Sequence, residues 1–283
     1  MQTYGQTYGV WAMGGIVVLL AGFFLLRGRV KIEHGWGGWT LTRFSDIERL
    51  GHWLLSLSFI VLALTGLNVL YGRYFLLPLI GAPMFSEVSL WGKWLHNYVA
   101  FAFMAALAIT FLVWIGHSFP SWRDIVWLAK GGGLLVRGSH PPAWKFNAGQ
   151  KIVFWLVMLG GLSLSLSGLV LLFPGETALL AKTFAAVNAL GAYVGLASGL
   201  PTQLTPLQEM QYATSWHDIA AFGLLVVTIA HIYFRTLGME GAFSAMGSGQ
   251  VDVNWAKQHH RLWAEREIRK MEDVKAAEGS SSP

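Results

Sequence analysis

Five apolar segments, each long enough to cross a lipid bilayer as a helix, constrain the fold of this chain more than any other feature. A bilayer core about 30 Å thick needs roughly 20 apolar residues at a rise of 1.5 Å per residue. Hydrophobic residues make up 54% of the 283 residues and charged residues only 12%. The sequence therefore predicts an all-α integral membrane protein, a transmembrane helix bundle of about five spans. We place these spans at 10–26, 52–71, 95–117, 152–173 and 216–237.

Basic residues are distributed unequally between the two membrane faces that these spans define. One face receives the N-terminus and the loops at 72–94 and 174–215, and only three of the 20 Lys and Arg residues lie there, namely Arg73, Lys93 and Lys182. Because cytoplasmic loops are enriched in Lys and Arg, the other face is predicted to be cytoplasmic. The protein is expected in a bacterial inner membrane, with its N-terminus outside and its C-terminus in the cytoplasm. Its partners are expected to include the lipid bilayer and no nucleic acid.

The apolar segment 183–200 offers the one alternative to this topology. It is short, rich in Gly and Ala, and followed by Pro201. A sixth span there would invert the last helix and put the basic C-terminal tail outside, against the charge rule. We therefore interpret this segment as a helix that lies at the outer face or packs on the bundle.

The segments outside the spans carry weaker patterns. Alternating apolar residues at 30–44, around Gly37-Gly38, predict a small hairpin on the cytoplasmic face. In the polar tail, Trp255 and Trp263 are spaced as in an amphipathic surface helix, and 278–283 is predicted to be disordered. The predicted domains are an N-terminal anchor with its hairpin at 1–44, a helix bundle with a four-helix haem-binding core at 45–245, and a cytoplasmic tail at 246–283.

Four histidines lie within the predicted spans, where an ionisable side chain is costly and indicates a function. His217 and His231 are fourteen residues apart on the fifth span. That distance is a rise of roughly 21 Å on nearly one side of a helix, so His217 lies near the outer face and His231 near the cytoplasmic face. The helix directions place His52 near the cytoplasmic face and His96 near the outer face. Depth alone thus pairs His52 with His231 and His96 with His217.

Two facing pairs of neutral imidazoles are the axial ligands that two haem groups require. A histidine taken alone is also explained by a hydrogen-bonded ring between helices, but the match in depth of all four favours ligation of two haems b. Carboxylates for a di-iron centre are almost missing from the spans, with Asp218 the exception. The other histidines are predicted to lie at the membrane interface, in loops or in solvent: His34, His117, His140, His259 and His260.

The chain contains no cysteine. This excludes disulfides, iron–sulfur clusters bound by its own thiolates, and haem attached through a C-x-x-C-H motif. Haem must therefore be held without covalent links, and any iron–sulfur cluster that serves it must belong to another subunit.

Five stretches between about Arg43 and Trp263 form a specific combination. They read RFSDIERLGHW, GKWLHNYVAF, KFNAGQK, HDIAAFGLLVVTIAHIYFRTLGMEGAF and NWAKQHH. Together they resemble the cytochrome b subunit, or gamma subunit, of respiratory formate dehydrogenase, in a long form with an extra N-terminal helix. The related subunits of nickel–iron hydrogenases and thiosulfate reductases share the histidines but generally lack the NAGQK run.

The resemblance implies four haem ligands, which match the two histidine pairs above, and a quinone site beside the cytoplasmic haem. The residues that match this site are Asn147 and Gly149, with the ligand His231 nearby. An Asn side chain can donate or accept a hydrogen bond at a quinone oxygen, and Gly lets the backbone approach closely. A second interpretation stays open, in which Asn147 only caps the N-terminus of the fourth span.

The resemblance further implies an electron-transfer and quinone-reducing subunit of a formate dehydrogenase complex. Electrons would come from a molybdenum- or tungsten-containing catalytic (alpha) subunit through an iron–sulfur (beta) subunit, reach the outer haem and leave from the cytoplasmic haem to membrane quinone. Nothing in the chain is suited to hold molybdenum, tungsten or a pterin, so it is not expected to oxidise formate itself. Two alternatives remain: the same cytochrome in a nickel–iron hydrogenase or another dehydrogenase, and a non-redox membrane anchor or transporter.

Overall fold

The computed structural model describes residues 2–136, 138–196 and 199–280, and nearly all of their regular structure is helical. The helices and strands are α1 (Gln2–Arg27), β1 (Thr40–Thr42), α2 (Asp46–Phe75), α3 (Leu77–Ser118), α4 (Trp122–Ala129), a short 3₁₀ helix (Gly131–Gly133), α5 (Ala148–Leu172), α6 (Leu179–Tyr193), α7 (Pro206–Arg235), α8 (Ser244–Gly247), β2 (Gln250–Asp252), α9 (Val253–His259) and α10 (Arg261–Ser280).

Five of the described helices, α1, α2, α3, α5 and α7, are long and apolar enough to cross a membrane. This confirms the predicted fold class and number of spans. The helices extend beyond the apolar segments, and α7 begins at Pro206 rather than at 216. Apolar residues mark only the part of a helix that lies in hydrocarbon, whereas its backbone hydrogen bonds continue through the polar interface.

The loop predicted at 72–94 is wrong for most of its length. α2 continues to Phe75, and α3 begins at Leu77. Gly81 has a φ of 76° and a ψ of 165°, so it interrupts the helical geometry of α3. Glycine adopts a positive φ without strain, and Pro83 suits the first turn of the helix that follows. The connection is therefore a sharp turn between helices.

The chain divides into two compact units, and each of the five long helices contributes a segment to both. The first unit comprises Met1–Gly15, Leu54–Leu107 and Val157–Val226. The second comprises Ile16–Trp53, Ala108–Leu156 and Val227–Pro283. The domain boundaries expected near 44 and 245 stay a prediction.

In the second unit, a small sheet joins the segment before α2 to the segment after α7. β1 pairs antiparallel with β2, with Leu41 opposite Val251, and Val30 forms a parallel bridge with Met239. The hairpin predicted at 30–44 is therefore wrong, since both of its alternating parts pair with C-terminal residues. Alternation indicates a strand with one buried face, but it does not identify the partner strand.

The C-terminal tail is helical, as predicted, but it packs into a core instead of lying on the surface. Asp252 caps α9 by accepting hydrogen bonds from the backbone N–H groups of Asn254 and Trp255, at 2.8 and 3.3 Å. Trp255 is 1% exposed and Trp263 is 6% exposed. Both belong to one apolar core with residues of the β1 and β2 segments.

Two further predictions for the tail are corrected by this packing. His260, expected in solvent, is 1% exposed. Of the segment 278–283, residues 278–280 complete α10, and 281–283 lie outside the described residues.

In the first unit, α6 accounts for most of the segment 183–200. Its 15 residues rise about 22 Å, which is less than the ~30 Å core of a bilayer. Among the described residues, α6 is therefore not one of the five helices that are long and apolar enough to cross a membrane. Glu209 on α7 is 3% exposed and accepts hydrogen bonds from the backbone N–H groups of Leu180 at 3.1 Å and Ala181 at 2.9 Å. These N–H groups lie in the first turn of α6, where no carbonyl of the helix can accept them, so Glu209 ties α6 to the start of α7.

Replacing Glu209 by Ala is expected to loosen α6, because it leaves two buried N–H groups unpaired at a cost of ~1–3 kcal/mol. Limited proteolysis of the detergent-solubilised protein should show faster cleavage between 179 and 193. The matched control is Glu176→Ala, which removes an exposed carboxylate from the segment between α5 and α6. It is expected to leave cleavage unchanged. Equal cleavage of the Glu209 variant and the wild-type protein would mean that apolar packing alone holds α6.

Candidate functional site

The four histidines of the spans form two close pairs, one in each compact unit. In the first unit, the ring centres of His96 on α3 and His217 on α7 are 6.4 Å apart. In the second, those of His52 on α2 and His231 on α7 are 6.2 Å apart. A metal–nitrogen bond of about 2.1 Å and the ~1.1 Å from nitrogen to ring centre put two imidazoles on opposite sides of one metal ion about 6.4 Å apart. Both pairs therefore have the spacing that a single iron between two axial imidazoles requires.

A hydroxyl group fixes each ring of the first pair. Thr65 Oγ1 lies 2.8 Å from His96 Nδ1, and Ser167 Oγ lies 2.9 Å from His217 Nδ1. Each hydroxyl also donates to the carbonyl one turn earlier in its own helix, at 2.8 and 2.9 Å. Because a hydroxyl has a single proton, it accepts from the Nδ1–H group of the imidazole. The lone pair of each neutral ring is then on Nε2, where it is available to a metal.

A glycine follows each of these hydroxyl residues and makes room for the imidazole. A Cβ atom on Gly66 would lie 3.6 Å from His96 Cε1, and one on Gly168 would lie 3.5 Å from His217 Cε1. These are ordinary contact distances, so any side chain larger than a methyl group would meet the ring. Sequence reasoning missed Thr65, Ser167 and Gly168. The signal that would find them is the hydroxyl–glycine dipeptide that occurs in both the second and the fourth span.

The second pair has aromatic neighbours instead of hydroxyl partners. The ring centre of His52 lies 5.4 Å from that of Trp53 and 6.2 Å from that of Trp114. His52 Nδ1 is buried and has no hydrogen-bond partner among the described residues. Trp114 Nε1 donates to Glu48 at 3.0 Å, and Glu48 forms an ion pair with Lys145 at 2.6 Å. Aromatic packing and the largely buried ion pair between Glu48 and Lys145 thus surround the second histidine pair.

Asn147 caps α5, as the alternative interpretation expects. Its Oδ1 accepts from the backbone N–H of Gln150 at 3.0 Å, and Gln150 Oε1 accepts from the backbone N–H of Asn147 at 3.1 Å. This reciprocal arrangement is a capping box. The cap uses only the oxygen of the amide, and the NH₂ group of Asn147 makes no hydrogen bond within the described parts of the chain. Its two donors stay available to a ligand.

Gly149 lies against Trp127 of α4, and a Cβ atom there would lie 3.3 Å from the indole ring. Lys151, one turn after Asn147 on α5, donates to Phe119 O at 3.0 Å and to Asp124 at 2.8 Å. Burial raises the pKa of Asp124, but the hydrogen bonds from Lys151 and Ser121 outweigh it and hold the pKa below its ordinary value. These contacts fix the start of α5 against α4.

The remaining histidines belong to neither of these two pairs. His34 is exposed, and His117 is exposed at the end of α3, as predicted for the interface. His140 Nε2 lies 2.8 Å from a carboxylate oxygen of Glu33, and this contact lowers the pKa of Glu33. Among the residues that the structure describes, no group of three or more His, Cys, Asp or Glu side chains is arranged to hold a metal ion.

Comparison with known proteins finds relatives that are cytochrome b subunits. The formate dehydrogenase cytochrome b556(fdo) subunit of Escherichia coli K12 is 29% identical over 238 residues, which are 84% of this chain and 97% of the relative. The nitrate-inducible cytochrome b556(Fdn) subunit of the same organism is 28% identical over 241 residues, 84% and 96% of the two chains. The formate dehydrogenase cytochrome b556 subunit of Haemophilus influenzae is 25% identical over 232 residues, 81% and 84% of the two chains.

A family model described as prokaryotic cytochrome b561 matches residues 43–249, a range that includes both histidine pairs and Asn147. The matched range covers most of the chain, and cytochromes b are defined by haem b. The chain belongs to the prokaryotic cytochrome b561 family and is a multi-pass membrane cytochrome b.

Proposed function

We propose that the chain is the di-haem b subunit of a formate dehydrogenase and that it passes electrons to membrane quinone. The single observation that carries this proposal is the presence of two histidine pairs, each with the ring spacing of axial ligands on one iron. The three relatives, each named as a formate dehydrogenase cytochrome b556 subunit, support the choice of complex. When bound, a haem b supplies a one-electron carrier whose iron alternates between the ferric and ferrous states.

The side chains of the two pairs have distinct tasks in this proposal. His96 and His217 bind the outer haem through Nε2, while Thr65 and Ser167 hold their tautomers and orient their rings. His52 and His231 bind the cytoplasmic haem. Their assignment to the two faces rests on the distribution of basic residues and on five spans, which put the termini on opposite sides of the membrane.

The relatives named as formate dehydrogenase subunits support two protein partners for this chain. We propose that an iron–sulfur (beta) subunit supplies the electrons, since this chain has no cysteine to hold a cluster, and that a molybdenum or tungsten (alpha) subunit oxidises formate. A haem held by His52 and His231 would supply electrons to quinone bound near Asn147 and Gly149. In this proposal Asn147 serves twice, since its oxygen caps α5 and its NH₂ group donates to a quinone oxygen.

The ligand assignment is tested on the complex isolated through a tag on this chain. Formate is expected to reduce two haems in the wild-type complex. His96→Ala and His217→Ala should each remove the same haem, and His52→Ala and His231→Ala the other one. Pyridine haemochrome analysis gives the haem content, and potentiometric titration of the visible spectrum identifies which haem is lost.

His117→Ala is the matched control, because His117 also lies on α3 but belongs to neither pair, and both haems should be retained. Loss of haem in the His117 variant, with retention in any of the other four, would overturn the assignment. Reduction of the haems by hydrogen but not by formate would show that the chain is a subunit of a hydrogenase instead.

The orientation is tested with reporters fused after Lys275 and after Gly175. The basic loops predict that the first reporter is cytoplasmic and the second external. Alkaline phosphatase, active only outside, and green fluorescent protein, fluorescent only inside, should give opposite signals at the two positions. The same side for both would contradict five spans, and exchanged signals would reverse the assignment of the two histidine pairs to the two faces.

The quinone site is tested with Asn147→Asp. Aspartate caps a helix as well as asparagine does, but its carboxylate has no N–H group to donate. Quinone donation by Asn147 therefore predicts slower re-oxidation of reduced haem by quinone, by roughly tenfold or more for a lost buried hydrogen bond. Stopped-flow absorbance measures this rate, and an unchanged melting temperature shows that the cap is intact.

Gln150→Ala provides the complementary control for this test. It removes the other half of the capping box but leaves the NH₂ group of Asn147 in place. It is expected to lower the stability of α5 by ~0.5–2 kcal/mol, while quinone kinetics stay normal. Normal re-oxidation in Asn147→Asp would show that Asn147 is a cap only, and the quinone would have to bind elsewhere.

A further inference from the structure

Arg43 is a buried cation in the second unit and is 2% exposed. Its guanidinium carbon lies 4.9 Å from the ring centre of Trp263, 5.5 Å from that of Trp255 and 5.2 Å from that of Phe44. It forms no ion pair with an acidic side chain of the described residues. The faces of aromatic rings attract a cation, so these three rings replace a carboxylate as the counterpart of Arg43.

The hydrogen bonds of Arg43 reach the segment before α5 both directly and through His260. Its Nη2 donates to the backbone carbonyl of Lys145 at 2.5 Å and to His260 Nε2 at 3.0 Å. A guanidinium group only donates, so His260 Nε2 accepts and the ring proton is on Nδ1. His260 Nδ1 then donates to the carbonyl of Trp144 at 2.8 Å. Burial and the neighbouring Arg43 cation both lower the pKa of His260 well below its ordinary value, which keeps the ring neutral in this arrangement.

Two successive carbonyls, those of Trp144 and Lys145, are thus held by residues that are distant in sequence. Arg43 precedes α2, and His260 lies between α9 and α10. We call this set of contacts from Arg43 and His260 to the backbone of Trp144 and Lys145 the carbonyl clamp. Each carbonyl receives a hydrogen bond from a side chain that is at least 98% buried, so water does not compete for either bond.

The segment held by the carbonyl clamp leads directly into the Asn147 site. The side chain of Lys145 is fixed by its ion pair with Glu48 at 2.6 Å. Phe146 is 5% exposed and packs in the apolar core. The carbonyls of Trp144 and Lys145 and the side chains of Lys145 and Phe146 are therefore anchored, and the oxygen of Asn147 is used by the cap of α5. The NH₂ group of Asn147 makes no hydrogen bond within the described part of the chain and stays available to a ligand.

We propose that His260 and Arg43 are positioning residues for quinone binding, because the carbonyl clamp orients the backbone that presents the amide of Asn147. This inference rests on the proposed quinone site at Asn147. Neither residue touches the quinone in this proposal. A binding group held in place before the ligand arrives loses less entropy on binding, so loss of the carbonyl clamp should weaken quinone affinity more than it slows electron transfer at saturation.

Substitutions of His260 separate its two hydrogen bonds. His260→Asn can keep the donor near the Nδ1 position, and with it the bond to Trp144. His260→Gln can keep an acceptor near the Nε2 position, and with it the bond to Arg43. His260→Ala removes both. The experiment uses membranes that contain the whole complex, in which the haems are reduced with limiting dithionite and mixed with a short-chain ubiquinone or menaquinone analogue.

Stopped-flow traces at several quinone concentrations give the half-saturating concentration and the maximal rate of haem re-oxidation. For His260→Ala, the half-saturating concentration is expected to rise roughly tenfold, the factor for one hydrogen bond of ordinary strength, while the maximal rate and haem content stay near wild type. His260→Asn should recover most of the lost quinone affinity, because it keeps the direct hydrogen bond to the backbone. His260→Gln should recover less.

His259→Gln is the matched control, since His259 is the neighbouring histidine and makes no hydrogen bond to Trp144 or Lys145 among the described residues. It is expected to bind quinone normally. An unchanged half-saturating concentration in His260→Ala, with a raised one in Asn147→Asp, would overturn the role of the carbonyl clamp and keep the quinone site. No change in either variant would overturn both. A parallel loss of haem and maximal rate in all three His260 variants would show a role in folding only.

Discussion

The cost of polar groups in hydrocarbon is the constraint on which the rest of this structure depends. It makes every apolar segment helical and limits the ionisable side chains within the spans. The histidines that remain there are brought together in two pairs with ring centres 6.2 and 6.4 Å apart. In the first pair, Thr65 and Ser167 accept from one ring nitrogen and leave the other with its lone pair. The same hydrogen bonds thus satisfy the buried ring N–H groups and leave the other ring nitrogen available to a metal.

The elements of the second unit that lie outside the spans are organised around a different interaction. A cation, Arg43, is buried among aromatic rings and binds backbone carbonyls directly before α5. The β1–β2 pairing and the buried Trp255 and Trp263 bring the C-terminal tail to the same core. The tail is therefore part of the framework that presents Asn147, and His260 at its centre links the two. In our proposal, quinone binding at the start of α5 depends in this way on a residue more than 100 positions away.

Sequence reasoning reached the number of spans, the family and the histidines that form each pair. The length of a span follows from bilayer thickness, and the membrane depth of a histidine follows from the rise of its helix. Both quantities can be derived from one segment of sequence without knowing its neighbours. Sequence reasoning missed the partner of β1, the burial of His260 and the helical continuation of α2 and α3 across 72–94. These depend on contacts between distant segments or on the conformation of Gly81, for which local pattern is insufficient.

The sequence by itself determined that this chain crosses a membrane five times and which histidines share a depth, because hydropathy and helical periodicity are one-dimensional. The tertiary structure decided which atoms of those histidines meet Thr65 and Ser167, and that Asn147 caps a helix with its oxygen while its NH₂ group stays free. It also decided that β1 pairs with a strand about 210 residues later. Hydrogen bonds depend on distance and direction in three dimensions, and the order of residues along the chain does not specify either.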